Sequence, residues 1–129
     1  MKSLFNRNHE RGQDLVEFAL ALPLLLLILL GIMEFGIVIM SYDTIANAAR
    51  EGARFGVVRP WDTAGIQTAA RRLTTGLDPS ALTINVTQLG NTVRVQVTYD
   101  AQLITGPVIQ AVGGNPTLRL RTAASMQTE

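Results

Sequence analysis

The apolar positions of this chain keep a different rhythm in each region. From Leu15 to Met40 they are almost continuous, LVEFALALPLLLLILLGIMEFGIVIM, 26 residues interrupted by charge only at Glu17 and Glu34. That length suits a transmembrane helix, because about 20 apolar residues rising about 1.5 Å each cross a hydrocarbon core of about 30 Å. By the same rise the two glutamates stand roughly 25 Å apart, near the ends of the run, where a carboxylate costs far less than at the bilayer centre. Glu34 therefore reads as an interfacial residue. Pro23 removes one backbone donor, and a membrane helix tolerates the local kink when neighbouring groups satisfy the freed carbonyl.

Beyond the run, residues 41–58 (SYDTIANAAREGARFGVV) are rich in alanine and free of proline, so the helix is expected to continue. Ile45, Ala49 and Gly52 with Ala53 recur at helical spacing. Ala48, Gly52 and Gly56 make a second row, four apart. Small side chains in such a row let another backbone come close. The partner is either a second helix or the chain's own sheet, and the spacing alone favours neither. Pro60 supplies the stop. One helix from about Asp14 to Arg59 follows, roughly 70 Å long. After it, Asp62 or Thr63 can cap a short second helix with Ile66, Ala69, Ala70, Leu73 and Leu77 on one face and Gly76 near its end. Arg71 and Arg72 fall off that stripe and read as a solvated edge.

From Leu82 the period drops to two. Leu82, Ile84 and Val86 alternate with Thr83, Asn85 and Thr87, and Gly90-Asn91 makes a two-residue hairpin turn. Val93, Val95, Val97 and Tyr99 alternate with Arg94, Gln96 and Thr98 on the return strand. Residues 101–115 read as a connection. The final strand, TLRLRTAASM, is expected to bury Leu118 and Leu120 while Arg119 and Arg121 point outward. The predicted class is α+β: a long N-terminal transmembrane helix that extends into a small head with a short second helix and a three-stranded antiparallel sheet. So small a sheet needs the helix to cover it.

Charge gives the run a direction. Lys2, Arg7 and Arg11 precede it, opposed only by Glu10. The positive-inside rule then predicts a cytoplasmic leader over 1–12, a membrane-spanning part over 13–40, and an extracytoplasmic head over 41–129. The net charge is only +1 and aromatic residues are 5% of the chain, which argues against nucleic acid as a partner. With no cysteine, neither a disulfide nor a thiolate metal site is available. The one histidine, His9, sits in the polar leader and reads as solvated. The carboxylates show no metal-ligand spacing and no glycine-rich phosphate loop opens a helix, so no catalytic set, cofactor site or metal site is predicted and an enzyme is not expected. Trp61 reads as a packing or interfacial ring.

Two further readings bear on the N-terminus. A cleaved secretory signal is one, with Ala46-Asn47-Ala48 as a small-x-small site. The apolar run is about twice the length of a signal h-region, however, and cleavage there discards the first helix. The other rests on RGQDLVEF, residues 11–18: a basic leader ending in glycine, then a glutamate five positions on, then the long apolar helix. This resembles the prepilin signature of type IV-related pilins. Together with LLGIMEFG (29–36), ANAAREGARFGVV (46–58) and the strand-rich tail, it is similar to TadE-like proteins of the tight-adherence (Tad) pilus system.

The resemblance implies a pilin-like fold and a structural role, as a pseudopilin taking part in pilus assembly or incorporated in the filament. It also implies processing between Gly12 and Gln13 by a prepilin peptidase, and other pilin or pseudopilin subunits, including copies of itself, as partners. Glu17 then becomes the fifth residue of the mature chain, with a part in subunit docking and register. Gln13 stands where pilins more often carry an aromatic residue or methionine, and Phe18 where Tad pseudopilins often carry tyrosine. From a different class, the alternative is a non-polymerising, membrane-anchored binding module of the cell envelope.

Overall fold

The computed structural model describes residues 7–128, with side chains from Gly12 onward; Lys2 and the side chains of Arg7, His9 and Arg11 lie outside the described residues. In chain order the elements are α1 (Arg7–Val58), α2 (Thr63–Arg72), a 3-10 turn (Pro79–Ala81), β1 (Leu82–Leu89), β2 (Thr92–Gln102), α3 (Gly106–Ala111) and β3 (Thr117–Gln127). The class is α+β, and the three strands form one antiparallel sheet in the order β1-β2-β3.

α1 holds 52 residues, about 78 Å at a rise of about 1.5 Å. It starts earlier than the sequence pattern indicated, since residues 7–12 are already helical. A single glycine at position 12 weakens a helix by about 1 kcal/mol without ending it. The helix passes through Pro23. At the other end the Arg59 N–H still bonds to the Phe55 carbonyl at 3.1 Å, and Pro60 follows. α2 opens as expected on Asp62, whose carboxylate accepts a bond from the Gly65 N–H at 2.8 Å. That satisfies one of the donors a helix leaves free at its start.

β1 and β2 pair from Leu82↔Tyr99 to Leu89↔Thr92, leaving Gly90 and Asn91 as the turn. Gly90 has φ +58, and no residue other than glycine has positive φ among those described. The positive angle thus falls on the first central residue, as a type II′ hairpin requires, and its twist suits the strands. β2 is the central strand and pairs with β3 from Thr92↔Gln127 to Gln102↔Thr117.

One face of the sheet is apolar and closes on the helices. Val93, Val95 and Val97 of β2 lie with Leu82 and Ile84 of β1 and Leu120 of β3 against Ile45, Ala48, Ala49 and Ala53 of α1 and Ile66 and Ala70 of α2. Ile45, Ile66, Val93, Val95 and Val97 are the largest fully buried side chains, each stabilising the head by about 1.5–3 kcal/mol. The alternating polar residues Thr83, Arg94, Arg119 and Arg121 are exposed on the other face.

Some expectations need correction. Leu118 is exposed rather than buried: it pairs with Ala101 close to the end of the edge strand β3, and Leu120 alone of the two reaches the core. Leu73 forms the C-cap of α2 and is exposed, whereas Leu77, beyond the helix, packs on the core. Trp61 is 77% exposed rather than packed in the core. The connection over 101–115 is structured: β2 runs on to Gln102 and α3 follows, with Pro107 in its first turn, where a missing N–H costs nothing.

Candidate functional site

The absence of partners distinguishes the first half of α1. Every residue from Gly12 to Met33 is exposed, including the leucines and isoleucines of the apolar run. It is the one helix among the described residues long and apolar enough to cross a membrane, and no part of its most apolar stretch is covered by the protein. Continuous apolar surface on that scale does not persist in water, so lipid or other helices must cover it. Gly12 and Gln13 stand exposed at its start, with nothing within 4 Å of where a Gly12 side chain would sit. Glu17, one turn further on, is exposed too.

The second half of α1 is engaged. Ala48, Gly52 and Gly56 are all buried, and their neighbours belong to the same chain. A Cβ on Gly52 would lie 3.1 Å from Val95 Cγ1 and 3.2 Å from Ala70 Cβ. One on Gly56 would lie 2.7 Å from Val93 Cγ1 and 3.2 Å from Ile66 Cδ1. The small row therefore lets β2 and α2 approach the α1 backbone. Ala48 also lies within the core cluster, so a cut beside it would divide the core.

Glu34 is where the two halves meet. Its carboxylate accepts one bond from the Thr105 backbone N–H at 3.0 Å and a short one from the Thr105 hydroxyl. The two residues are 71 apart in sequence. Thr105 is the N-cap of α3 but makes no side-chain cap bond within it; its hydroxyl donates to Glu34 instead. Sequence reasoning had placed Glu34 at an interface and had no partner for it. Contact between helix and head thus begins at Glu34 and continues at Val38, which packs on the core, ahead of the boundary expected at residue 41.

Charges elsewhere serve the head. Asp100 and Arg119 face each other across β2 and β3, with Nε–Oδ1 at 2.7 Å and Nη2–Oδ2 at 3.2 Å. The hydrogen bond from Arg119 holds the Asp100 carboxyl below its ordinary value, and Asp100 in turn raises Arg119. Bonds from the Ser80 hydroxyl and N–H likewise lower Asp78 at the start of the 3-10 turn. Among the described residues no group of three or more His, Asp or Glu side chains gathers where a metal could be held. An open groove of about 550 Å³ runs between α1 and α2, lined by Glu51, Phe55, Thr68, Arg72 and Leu73, with no set of convergent catalytic groups in it.

Residues 12–54 match the family model described as TadE-like protein. The match covers the exposed apolar half of α1 and most of its head-bound half, and stops short of α2 and the sheet. Comparison with curated proteins gives no match, and neither does comparison with solved structures.

Proposed function

We propose that this chain is a pilin-like, TadE-like subunit of a Tad-type pilus system, held in the membrane by α1 and acting through helix association rather than catalysis. The carrying observation is that one unbroken helix joins a bare apolar half, inside the family match, to a half packed on its own head. Lys2, Arg7 and Arg11 orient the N-terminus to the cytoplasm and the head outward. A prepilin peptidase cuts between Gly12 and Gln13, a position that the open surroundings of Gly12 leave accessible on the described side.

The chemistry of that cut explains Glu17. Removal of the cationic leader creates an α-amino group at Gln13, one helical turn from the Glu17 carboxylate. Among apolar helices an unpaired charge of either sign costs several kcal/mol, and pairing the ammonium with Glu17 of its own or a neighbouring subunit offsets much of this. A carboxylate so placed fixes axial register between subunits more than it adds stability. Assembly then buries the apolar half of α1 among the helices of other pilins, pseudopilins or copies of this chain. A second consequence concerns Ala48, Gly52 and Gly56. Since β2 and α2 occupy them, contacts between subunits fall to the apolar half.

The N-terminus tests this reading first. Intact mass and terminal sequencing of protein extracted from cells should find a chain starting at Gln13, and Gly12→Leu should abolish that product. A chain still starting at Met1 would overturn the processing and favour the membrane-anchored binding module. Glu17→Ala should leave the head folded and membrane insertion intact while reducing incorporation into assemblies by tenfold or more, taking a lost register pair as about 1.4 kcal/mol or more. Assembly at the wild-type level would refute the register role.

A further inference from the structure

The connection between β2 and β3 lies at the membrane end of the head. β2 runs along α1 in the opposite sense: Gly56 faces Val93, Gly52 faces Val95, and far down the helix Glu34 holds Thr105. The hairpin at Gly90-Asn91 is therefore the distal end and α3 the proximal one. Glu34 also marks where the membrane should stop. Leu15 to Met33 is 19 residues, about 28 Å of helix, which spans a hydrocarbon core of about 30 Å without residues 34–40.

The surface at that level has an unusual composition for a water-facing region. Ile104, Val108 and Val112, one before α3, one within it and one at its C-cap, are exposed, Val112 at 82%. From Ala101 to Leu118 the chain has no Asp, Glu, Lys or Arg, and neither does α1 from Phe35 to Tyr42. Charge resumes at Asp43 on the helix and at the Asp100–Arg119 pair on the sheet. On α1 itself Phe35, Ile37, Ile39 and Met40 are exposed beside this region, so the apolar surface of the span continues toward the head with no charged residue on α1 between Phe35 and Tyr42. The one carboxylate at this level, Glu34, is half-buried and bonded to Thr105.

We infer that α3 and its flanks, residues 104–112, are a foot that rests in the lipid interface of the outer leaflet, with Ile104, Val108 and Val112 entering the headgroup–acyl boundary. The inference rests on the proposal that α1 spans a membrane. It adds a second, lateral contact to it. The Glu34–Thr105 bonds set the foot's height on the helix, and by giving the carboxylate two donors they offset part of the cost of holding its charge at the membrane edge. An interfacial segment of this kind gains by burying a few apolar side chains to a depth of about 5–10 Å.

The test uses full-length protein reconstituted in vesicles of phosphatidylcholine and phosphatidylglycerol, with a fraction of the lipid brominated either close to the headgroup, to read Val112→Trp and Trp61, or near the acyl-chain ends, to read Leu25→Trp at the middle of the span. Trp61, the one tryptophan, stands near the distal end and serves in the wild-type chain as the reference. In a Trp61→Phe background, Val112→Trp reports on the foot and Leu25→Trp on the span. Both positions are exposed, and hydrogen-exchange protection of β2 amides checks that the head is intact. Val112→Trp should be quenched several-fold more than Trp61, independently of the protein-to-lipid ratio. Quenching of Leu25→Trp with none at Val112→Trp would overturn the foot and leave the span standing. A Val112→Trp signal that shifts only at high protein density, without quenching, would make a second copy the occupant and also overturn it. No quenching at Leu25→Trp would remove the spanning helix itself, and the foot with it.

Discussion

The two halves of α1 are one continuous helix, yet they meet opposite conditions. From Gly12 to Met33 every residue is exposed; from Glu34 on, Ile45, Ala48, Ala49 and Ala53 disappear beneath the sheet. Side-chain size follows this division. The bare half is built from leucine and isoleucine, which maximise contact with lipid or with other helices. The covered half turns to alanine and glycine, because a β-sheet has to come close and brings its own valines. Helical backbone is common to both, so the environment each half requires is written in side-chain volume rather than in hydropathy alone.

Paired substitutions sharpen that contrast. Ile45→Ala should destabilise the head by about 2–5 kcal/mol, since it opens a cavity in a fully buried site. Ile28→Ala, on the bare half, should leave the head's stability unchanged. Hydrogen exchange of β2 amides in detergent-solubilised protein reads both, and equal loss from the two variants would break the comparison. A similar contrast holds for glycines. Gly56→Val forces methyl groups into Val93 and Ile66 and should cost about 1–3 kcal/mol or more, whereas Gly31→Val meets nothing within 4 Å and should spare the head.

The smallest effect is the pH response of the outer face. Asp100 has a lowered folded-state pKa because Arg119 bonds to it. Its contribution is therefore fully present above the ordinary carboxyl value and is lost as pH falls through the lowered one. Being exposed, the pair should shift head stability only slightly over that acid range, and Asp100→Asn should flatten the dependence without changing stability much at neutral pH. A large acid transition that survives Asp100→Asn would assign it to other carboxylates.

Much of the head was legible because its signals are local. Period-two alternation placed β1 and β2, Gly90-Asn91 placed their turn, and Asp62 announced α2. A short motif singles out Gly12, Gln13 and Glu17 in the sequence, the family match covers the same stretch, and their roles belong to the proposed function. What the sequence concealed depends on contacts between distant residues. The small row could face a neighbour or the chain's own sheet, and only the register of Gly56 with Val93 and of Gly52 with Val95 decides. α3 spans six residues, less than two turns, too few for a period to show. Its local clue was Thr105-Gly106-Pro107, a capping residue followed closely by proline. Glu34 gave no sign of Thr105, since nothing local links residues so far apart. Leu118 followed the alternation and still lies exposed, because alternation sets the face of a strand and not how far along it the cover extends.

The Asp100–Arg119 side of the sheet and the Gly90-Asn91 hairpin hang from a shaft with no joint between membrane and head. Above Pro23 torque applied to the head passes along the helix, and any rotation of the stretch between Pro23 and Glu34 about the helix axis turns the outer surface with it. Compliance, where α1 has it, belongs at Pro23, about three turns below Glu34 and inside the apolar half. On the proposed reading, α1 is a lever with its pivot in the bilayer, and the seating of neighbouring helices against it sets which face of the head looks outward.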